Sequence, residues 1–173
     1  MSIDEHPERN WDWRQPQFLA GLIRPPLPPS IPLARMERVD FTTPASDRFV
    51  WYGWSPPEPD FRWTERDHAA IVFRVDEVAA LTLTIRLHAF NVPNRLATQR
   101  LDINFNMKKI ASVMLDDNAT HEIKIVLPAK LMQEQNLFEL NLPDAASPAS
   151  LNAGADERLL GVAVEWIEFQ RSG

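Results

Sequence analysis

The 173-residue sequence contains no cysteine. This absence excludes disulfide bonds, thiolate catalysis and cysteine-based zinc sites. The four histidines are dispersed, without the short spacings of a metal site, and neither GxSxG nor a glycine-rich phosphate loop is present. We therefore expect no metal, no cofactor and no catalytic residue. A small hydrolase or lyase of cupin type is disfavoured because it needs a clustered metal site.

Glycine is also scarce, with 5 residues against 15 prolines. This ratio favours stiff, open loops over tight glycine-based hairpins. Basic residues are in the minority, 18 Lys and Arg against 24 Asp and Glu, so that the net charge is −6. An acidic surface repels a phosphate backbone, and we do not expect nucleic acid as a partner.

No apolar run approaches the roughly 18–20 residues that span a bilayer. The charged and aromatic residues 1–14 contain no apolar signal-peptide core. We therefore expect no membrane span and a cytoplasmic location. Residues 1–37, which include the proline-rich stretch Arg24–Pro32, are predicted to form an extended leader or linker. Residues 38–173 are predicted to form one folded domain.

Strand periodicity dominates the predicted domain. In four segments every second residue is apolar, which is typical of a strand with one buried and one solvent face. These segments are Ala80–Ala89, Gln99–Met107, His121–Leu127 and Leu137–Leu142. Ala69–Val75 and Leu159–Phe169 are more continuously apolar, which favours central strands buried on both faces. Weaker candidates are Arg38–Thr42, Phe49–Trp54 and Lys109–Met114.

The pattern therefore predicts about eight to nine strands. Helical periodicity is confined to Ala129–Gln135, where one or two turns are expected. The two most apolar strands lie far apart in sequence, and long-range pairing of this kind is typical of Greek-key and jelly-roll wiring. The predicted fold is all-β, an antiparallel β-sandwich of jelly-roll type.

The most unusual segment is Trp51–Thr64, with three of the six tryptophans and the only tyrosine. Aromatic faces suit the C–H faces of sugar rings or a protein partner's side chains, and neighbouring charges supply oriented hydrogen bonds. The candidate ligand-binding residues are Trp51, Tyr52, Trp54, Glu58, Arg62 and Trp63. The alternative interpretation is that these rings fill the edge of the sandwich and that Arg62 pairs with a local carboxylate.

A second charged segment, Ala155–Gly161, precedes the last predicted strand. We expect an Arg62–Asp156 or a Glu58–Arg158 ion pair to connect it to the aromatic segment. The alternative is a plain acidic loop, in which Gly161 permits a close backbone approach or a bulge. Asp116–Asn118 is interpreted as a turn rather than a calcium loop.

The order and spacing of these two segments resemble a known family. The residues that carry the resemblance are Gly53, Trp54, Glu58, Arg62, Trp63 and Thr64, followed by Asp156, Arg158, Leu160 and Gly161. The pattern is similar to the jelly-roll accessory domain attached to bacterial glycosyltransferases and other surface-polysaccharide biosynthesis proteins, over roughly residues 40–170. Members often carry a V-N-G hairpin where this chain has Asn104–Met107, and the missing glycine argues against a tight type I′ turn there.

The resemblance implies a non-catalytic, carbohydrate-binding-like accessory module in glycan or polysaccharide biosynthesis. Its implied partner is a carbohydrate or a glycosyltransferase domain. Members are usually fused to a catalytic domain, and the proline-rich leader is then the expected junction. The alternative is a structural or protein-interaction module that docks on a glycosyltransferase or self-associates as a homo-oligomer.

Overall fold

A computed structural model describes residues 28–31 and 36–173, and in these residues the chain forms eleven strands. They are β1 (Ser30–Ile31), β2 (Glu37–Asp40), β3 (Val50–Tyr52), β4 (Arg62–Trp63), β5 (His68–Val75), β6 (Leu81–Ala89), β7 (Gln99–Phe105), β8 (Lys108–Leu115), β9 (His121–Leu127), β10 (Gln135–Asn141) and β11 (Val162–Arg171). Two short 3-10 helices span Pro44–Arg48 and Ala129–Leu131. The all-β prediction is confirmed. The count exceeds eight to nine because β1 and β4 are too short to show a period.

The strands form two sheets that face each other as a sandwich of jelly-roll type, as predicted. The six-stranded sheet has the order β1-β5-β10-β7-β8, with β3 also paired to β5. The five-stranded sheet has the order β2-β11-β6-β9, with β4 also paired to β11. The pairings are antiparallel except that of β1 with β5, which is parallel.

The two most apolar strands, β5 and β11, do not pair with each other. Each is an interior strand of its own sheet, and they meet across the core, where the ring centroids of Phe73 and Phe169 are 4.9 Å apart. Burial on both faces holds for most of β5 but only for the first half of β11, because Trp166 and Glu168 are partly exposed. The long-range pairing of these two strands that the sequence suggested is therefore wrong, because they pack face to face from different sheets.

The alternating strands supply the interior as the period of two predicts. In β6, Leu81, Leu83, Ile85 and Leu87 are fully buried between the sheets. Each buried side chain of this size contributes roughly 1.5–3 kcal/mol of hydrophobic stabilisation. The other face of β6, with Arg86 and His88, points away from the core and lies on the outer face of the five-stranded sheet.

The β7–β8 connection contains a tight turn despite the missing glycine. Asn106 and Met107 alone join the two strands, with φ angles of 46° and 70°. A type I′ turn requires positive φ at both central residues. Asn106 holds the turn in place, since its Nδ2 donates to Leu131 O at 2.7 Å and its Oδ1 accepts from Leu137 N at 2.8 Å. These hydrogen bonds to other parts of the fold stabilise the positive φ angles, which glycine would adopt without strain.

Most of the predicted leader lies outside the described residues. In its described part, β1 lies beside β5, and the carbonyls of Pro28 and Pro29 accept hydrogen bonds from Arg74 at 2.8 Å. Glu37 already belongs to β2. The end of the predicted leader therefore contributes to both sheets. Among the described residues, no helix has the length and apolar character to cross a membrane.

Candidate functional site

Three of the six candidate ligand-binding residues lie in the protein interior. Trp51, Tyr52 and Trp54 expose 7%, 4% and 6% of their surface. The Trp54 ring packs on Phe41 at 4.9 Å, and its Nε1 donates to Ala70 O at 2.9 Å. Trp54 belongs to the core between the sheets, whereas Trp51 and Tyr52 form a separate buried cluster with Ala70 and Val72. The alternative interpretation, that the rings fill the sandwich, therefore describes Trp54 alone.

Arg62 is also buried, with 2% of its surface exposed. Its Nε donates to Ser55 O at 2.5 Å, and its Nη1 donates to Ser46 Oγ at 2.9 Å and to Asp47 Oδ1 at 2.8 Å. The expected Arg62–Asp156 ion pair is therefore wrong, because Arg62 pairs with Asp47. The alternative interpretation, that Arg62 pairs with a local carboxylate, is confirmed.

Two further motif residues, Gly53 directly after β3 and Thr64 directly after β4, contact neighbouring strands. Gly53 has φ +76°, and an added Cβ would lie only 2.0 Å from His68 O, so no other residue fits without a backbone shift. The Thr64 hydroxyl accepts from Val162 N at 3.0 Å, and Thr64 N donates to Val162 O at 2.9 Å. Gly53 therefore permits close packing against β5, and Thr64 is hydrogen-bonded to β11.

Gly161 precedes β11 and permits the close approach that the sequence suggested. An added Cβ there would lie 2.7 Å from Leu142 Cδ1. Its carbonyl accepts a hydrogen bond from Phe90 N at 2.9 Å, which joins the loop after β6 to the loop before β11. The Asp116–Asn118 segment is a loop between β8 and β9, in which Asp117 Oδ1 accepts from Ala119 N at 2.9 Å. A carboxylate bound to the backbone two residues on is typical of a turn.

The second expected ion pair is present near the surface. Arg158 Nη1 lies 3.4 Å from Glu58 Oε1, and Arg158 Nη2 lies 2.6 Å from Asp156 Oδ2. The hydrogen bond from Arg158 holds the pKa of Asp156 below its ordinary value. All three side chains keep about a third of their surface exposed, at 34%, 37% and 31% for Arg158, Glu58 and Asp156. This charged triad is therefore oriented yet open to a ligand.

Trp63 differs from the other tryptophans of its segment because it lies partly exposed on the outer face of the five-stranded sheet. It forms a ring cluster with Phe61 at 5.4 Å, His88 at 5.4 Å and Phe90 at 6.1 Å, all in edge-to-face geometry. We call these four residues the Trp63 cluster. In the sheet register Ala163 lies between Trp63 and His88 and is fully buried, so that the rings cover it.

His88 gives the Trp63 cluster a polar group. Burial among the rings lowers the pKa of His88, and the nearby Glu165 carboxylate opposes this effect more weakly. The imidazole is therefore neutral near pH 7 and presents one donor and one acceptor. Glu165 itself is held by Arg86, whose Nε donates to Glu165 Oε2 at 2.7 Å.

The same sheet face carries a second tryptophan outside the cluster. Trp166 lies beside Arg86 in the register and is partly exposed, and the Arg38 guanidinium stacks 4.0 Å above its ring. Arg38 is held there by Glu168 at 2.6 Å. Because Arg38 covers one ring face, Trp166 offers less free aromatic surface than a bare ring.

Sequence reasoning identified Trp63, Glu58, Arg158 and Asp156 but missed Phe61, His88 and Phe90. The period of two of a β-strand could have indicated these residues. Phe61 and Trp63 are two residues apart, as are His88 and Phe90, and in a strand such pairs lie on the same sheet face. Among the described residues, no group of three or more His, Asp or Glu side chains is arranged to hold a metal ion.

No protein-family model matches the chain, and no curated protein matches it. Several solved structures are similar in fold. Dimeric latent PorU from Porphyromonas gingivalis has a TM-score of 0.50 at 9% identity, covering 78% of this chain and 12% of that chain. The CBM36-1 domain of a multidomain xylanase from the hindgut metagenome of Trinervitermes trinervoides has a TM-score of 0.47 at 9% identity, covering 80% and 99%. A Podospora anserina GH26-CBM35 beta-(1,4)-mannanase has a TM-score of 0.47 at 10% identity, covering 80% and 28%.

At such identities the similarity concerns the fold alone. The arrangement that the chain itself provides is a patch of partly exposed rings, a neutral imidazole and an oriented charged triad. Phe61, Phe90 and the triad belong to the loops 55–61, 90–98 and 143–161, which are connected by the Glu58–Arg158 pair and by the 2.7 Å bond from Arg95 Nη1 to Leu151 O. Such a surface suits a ligand that is apolar on its faces and rich in hydroxyl groups at its rim.

Proposed function

We propose that this chain is a carbohydrate-binding module and that the Trp63 cluster is the centre of its site. The observation that carries the proposal is that one loop connects the partly exposed Trp63 ring to the triad of Glu58, Asp156 and Arg158. Glu58 N donates to Phe61 O at 2.8 Å, and the Phe61 ring contacts the Trp63 ring at 5.4 Å. A sugar ring has C–H faces that stack on an aromatic ring and hydroxyl groups that need directional partners. The cluster supplies the first kind of contact and the triad supplies the second.

The triad is preorganised for hydroxyl recognition. Arg158 Nε and Nη2 both donate to the Asp156 carboxylate, at 3.1 and 2.6 Å, which fixes the plane of the guanidinium. The remaining N–H groups of Arg158 point toward Glu58 at the longer distances of 3.4 and 3.5 Å, which a ligand hydroxyl can replace. A fixed partner loses little conformational entropy on binding.

The carboxyl chemistry supports binding without catalysis. A glycosidase needs a carboxylic acid whose pKa is raised, so that it can protonate the leaving oxygen. In the triad, hydrogen bonds from Arg158 instead lower the pKa of Asp156, whose ionised carboxylate can accept a hydrogen bond from a ligand hydroxyl. We propose on this basis that the chain is a binding accessory module and not an enzyme.

The decisive experiment is a titration of the full chain with a panel of oligosaccharides at millimolar concentration, followed by calorimetry and by NMR shifts of the tryptophan indole N–H groups. Trp63→Ala should weaken saccharide binding about tenfold to a hundredfold, since one ring contact is worth roughly 1.5–3 kcal/mol. Trp166→Ala is the matched control, because that tryptophan is also partly exposed on the same face but lies outside the cluster. If no saccharide binds, or if Trp166→Ala weakens binding and Trp63→Ala does not, the proposed site is rejected.

We further propose that the module serves glycan or polysaccharide biosynthesis in the cytoplasm, attached to or docked on a glycosyltransferase. The support is the order and spacing of the two motifs, from Gly53 to Thr64 and from Asp156 to Gly161. Comparison of bacterial surface oligosaccharides with plant cell-wall oligosaccharides in the same titration tests this role. Preference for the cell-wall oligosaccharides would count against it.

A protein-docking role is the second candidate, and the burial of Trp51, Tyr52 and Trp54 favours it because fewer rings remain for a sugar. In this case the Trp63 cluster would contact a side chain of the glycosyltransferase instead. Trp63→Ala would then weaken binding to a purified glycosyltransferase catalytic domain, while every saccharide titration stays flat. The two outcomes separate the candidates.

A further inference from the structure

β8 is a free edge of the six-stranded sheet, and β7 is its one neighbour among the described strands. Its segment Ile110–Leu115 contains six consecutive residues without charge, proline or glycine. Proteins usually protect sheet edges with charges or prolines, because an open edge invites pairing with another strand. One edge of the five-stranded sheet, β9, follows that rule with Glu122 and Lys124 along it and Pro128 at its end. Beyond its first two residues, Lys108 and Lys109, β8 is therefore less protected than β9.

The residues that flank this uncharged segment have opposite charges. Lys108 and Lys109 precede it, and Asp116 and Asp117 follow it. When two copies of such a strand pair antiparallel about a two-fold axis, the basic end of one lies beside the acidic end of the other. The strand is thus complementary in charge to a second copy of itself.

The register of the β7–β8 pairing defines this complementarity more closely. Ala111 pairs with Ile103 and Lys109 with Asn104, so that Ile110 is the extra residue of a bulge. Three pairing positions then separate Val113 from Lys109 on one side and from Asp116 on the other. A two-fold axis at Val113 therefore places Lys109 opposite Asp116 of the second copy.

The side chains on this edge are suited to such a contact. Met114 lies on the face of β8 that points away from the core, and 55% of its surface is exposed. The residues of β8 that face the core are largely covered. Lys109 keeps 57% of its surface exposed while it contacts Asp102 at 3.0 Å. Asp116 is exposed and forms no ion pair with any described residue. Pairing would cover Met114 and give Asp116 a cationic neighbour.

We propose that β8 pairs antiparallel with β8 of a second copy of this chain, so that the two six-stranded sheets become one continuous sheet. The interface combines main-chain hydrogen bonds along the edge with two symmetric Lys109–Asp116 contacts. It lies on the opposite sheet from the Trp63 cluster. The proposed dimer is therefore independent of the proposed ligand site.

Sedimentation velocity of the full chain across a dilution series tests the dimer. We expect a monomer–dimer equilibrium that shifts toward monomer at high salt, because the charged contacts are exposed and screened. Met114→Lys should weaken the dimer at least about tenfold by adding a like charge to the edge. Val126→Lys is the matched control, since Val126 is 59% exposed on the other edge strand, β9, and should leave the equilibrium unchanged.

A charge exchange tests the register. Asp116→Lys alone should weaken the dimer about tenfold or more. Adding Lys109→Asp should restore it, because the contact then forms with its signs reversed. Asp102→Asn is included in every chain of this series, because Lys109→Asp would otherwise place two carboxylates at the present 3.0 Å contact. Circular dichroism of each variant confirms that the fold is retained. A chain that stays monomeric at submillimolar concentration, or a dimer equally sensitive to Met114→Lys and Val126→Lys, overturns the proposal. In the Asp102→Asn series, charge exchange that gives a dimer no tighter than Asp116→Lys overturns the register.

Discussion

Arg62→Met should destabilise the protein by about 2–4 kcal/mol, mainly through lost hydrogen bonds and not through a lost ion pair. The Arg62 side chain is nearly fully buried, and two of its acceptors, Ser55 O and Ser46 Oγ, belong to residues with no exposed surface. Each acceptor left without a donor costs roughly 1–3 kcal/mol. The desolvation penalty of the buried guanidinium disappears in the variant, which places the net loss below the sum of the separate losses.

The Asp47 carboxylate contributes little to this balance. It lies 2.8 Å from Arg62 Nη1, but its side chain is 57% exposed, so water screens the pair and can solvate the carboxylate once Arg62 is gone. An exposed pair of this kind is worth roughly 0–1 kcal/mol. Asp47→Asn, which keeps the shape and removes the charge, should therefore cost less than about 1 kcal/mol.

Urea denaturation followed by tryptophan fluorescence measures both variants against the unchanged chain, with the slope of each transition checked for constancy. The expected order of midpoints is unchanged chain, then Asp47→Asn close to it, then Arg62→Met well below. Equal losses for the two variants would show that the ion pair is the main stabilising contact. A loss below about 1 kcal/mol for Arg62→Met would refute the argument from buried acceptors.

Two further changes have clear expected outcomes. Met107→Gly should raise stability by up to about 1 kcal/mol, because Met107 has φ +70° and glycine adopts this region without a Cβ clash; Met107→Ala keeps the Cβ and should show no gain in thermal denaturation. His88 has a lowered pKa in the folded state, so the unfolded chain binds more protons and stability should fall as pH drops below about 6.5. Denaturation midpoints of His88→Gln should lose this part of the pH dependence, and an NMR titration midpoint of His88 above 6.5 would contradict the shift.

Much of the architecture was predictable because it depends on local periodicity. In β6, β7, β9 and β10 the alternation of apolar residues requires one buried face, which leaves little choice of fold class. The β7–β8 turn was not predictable in the same way. Its positive φ angles are stabilised by hydrogen bonds between Asn106 and residues of other elements. A local sequence pattern does not indicate which distant residues will form such bonds.

The candidate site shows the same division between local and long-range information. The Glu58–Arg158 pair was among the expected contacts because both residues stand out as charges in their segments. Arg62 is equally conspicuous, but which carboxylate it meets depends on the position of the Pro44–Arg48 helix, which no periodicity sets. Phe61 and Phe90 come from separate loops and meet the same tryptophan only because β4 and β6 flank β11.

The motif residues therefore separate into two groups with different consequences. Gly53, Trp54 and Arg62 are buried or sterically confined, and their contacts serve the fold. A resemblance carried by such residues concerns the fold. The second group, Trp63 with Glu58, Asp156 and Arg158, lies near the surface and would touch a ligand together with His88 and Phe90, which are outside the motif. Substitutions at His88 or Phe90 should then change which ligand binds while leaving the sandwich intact.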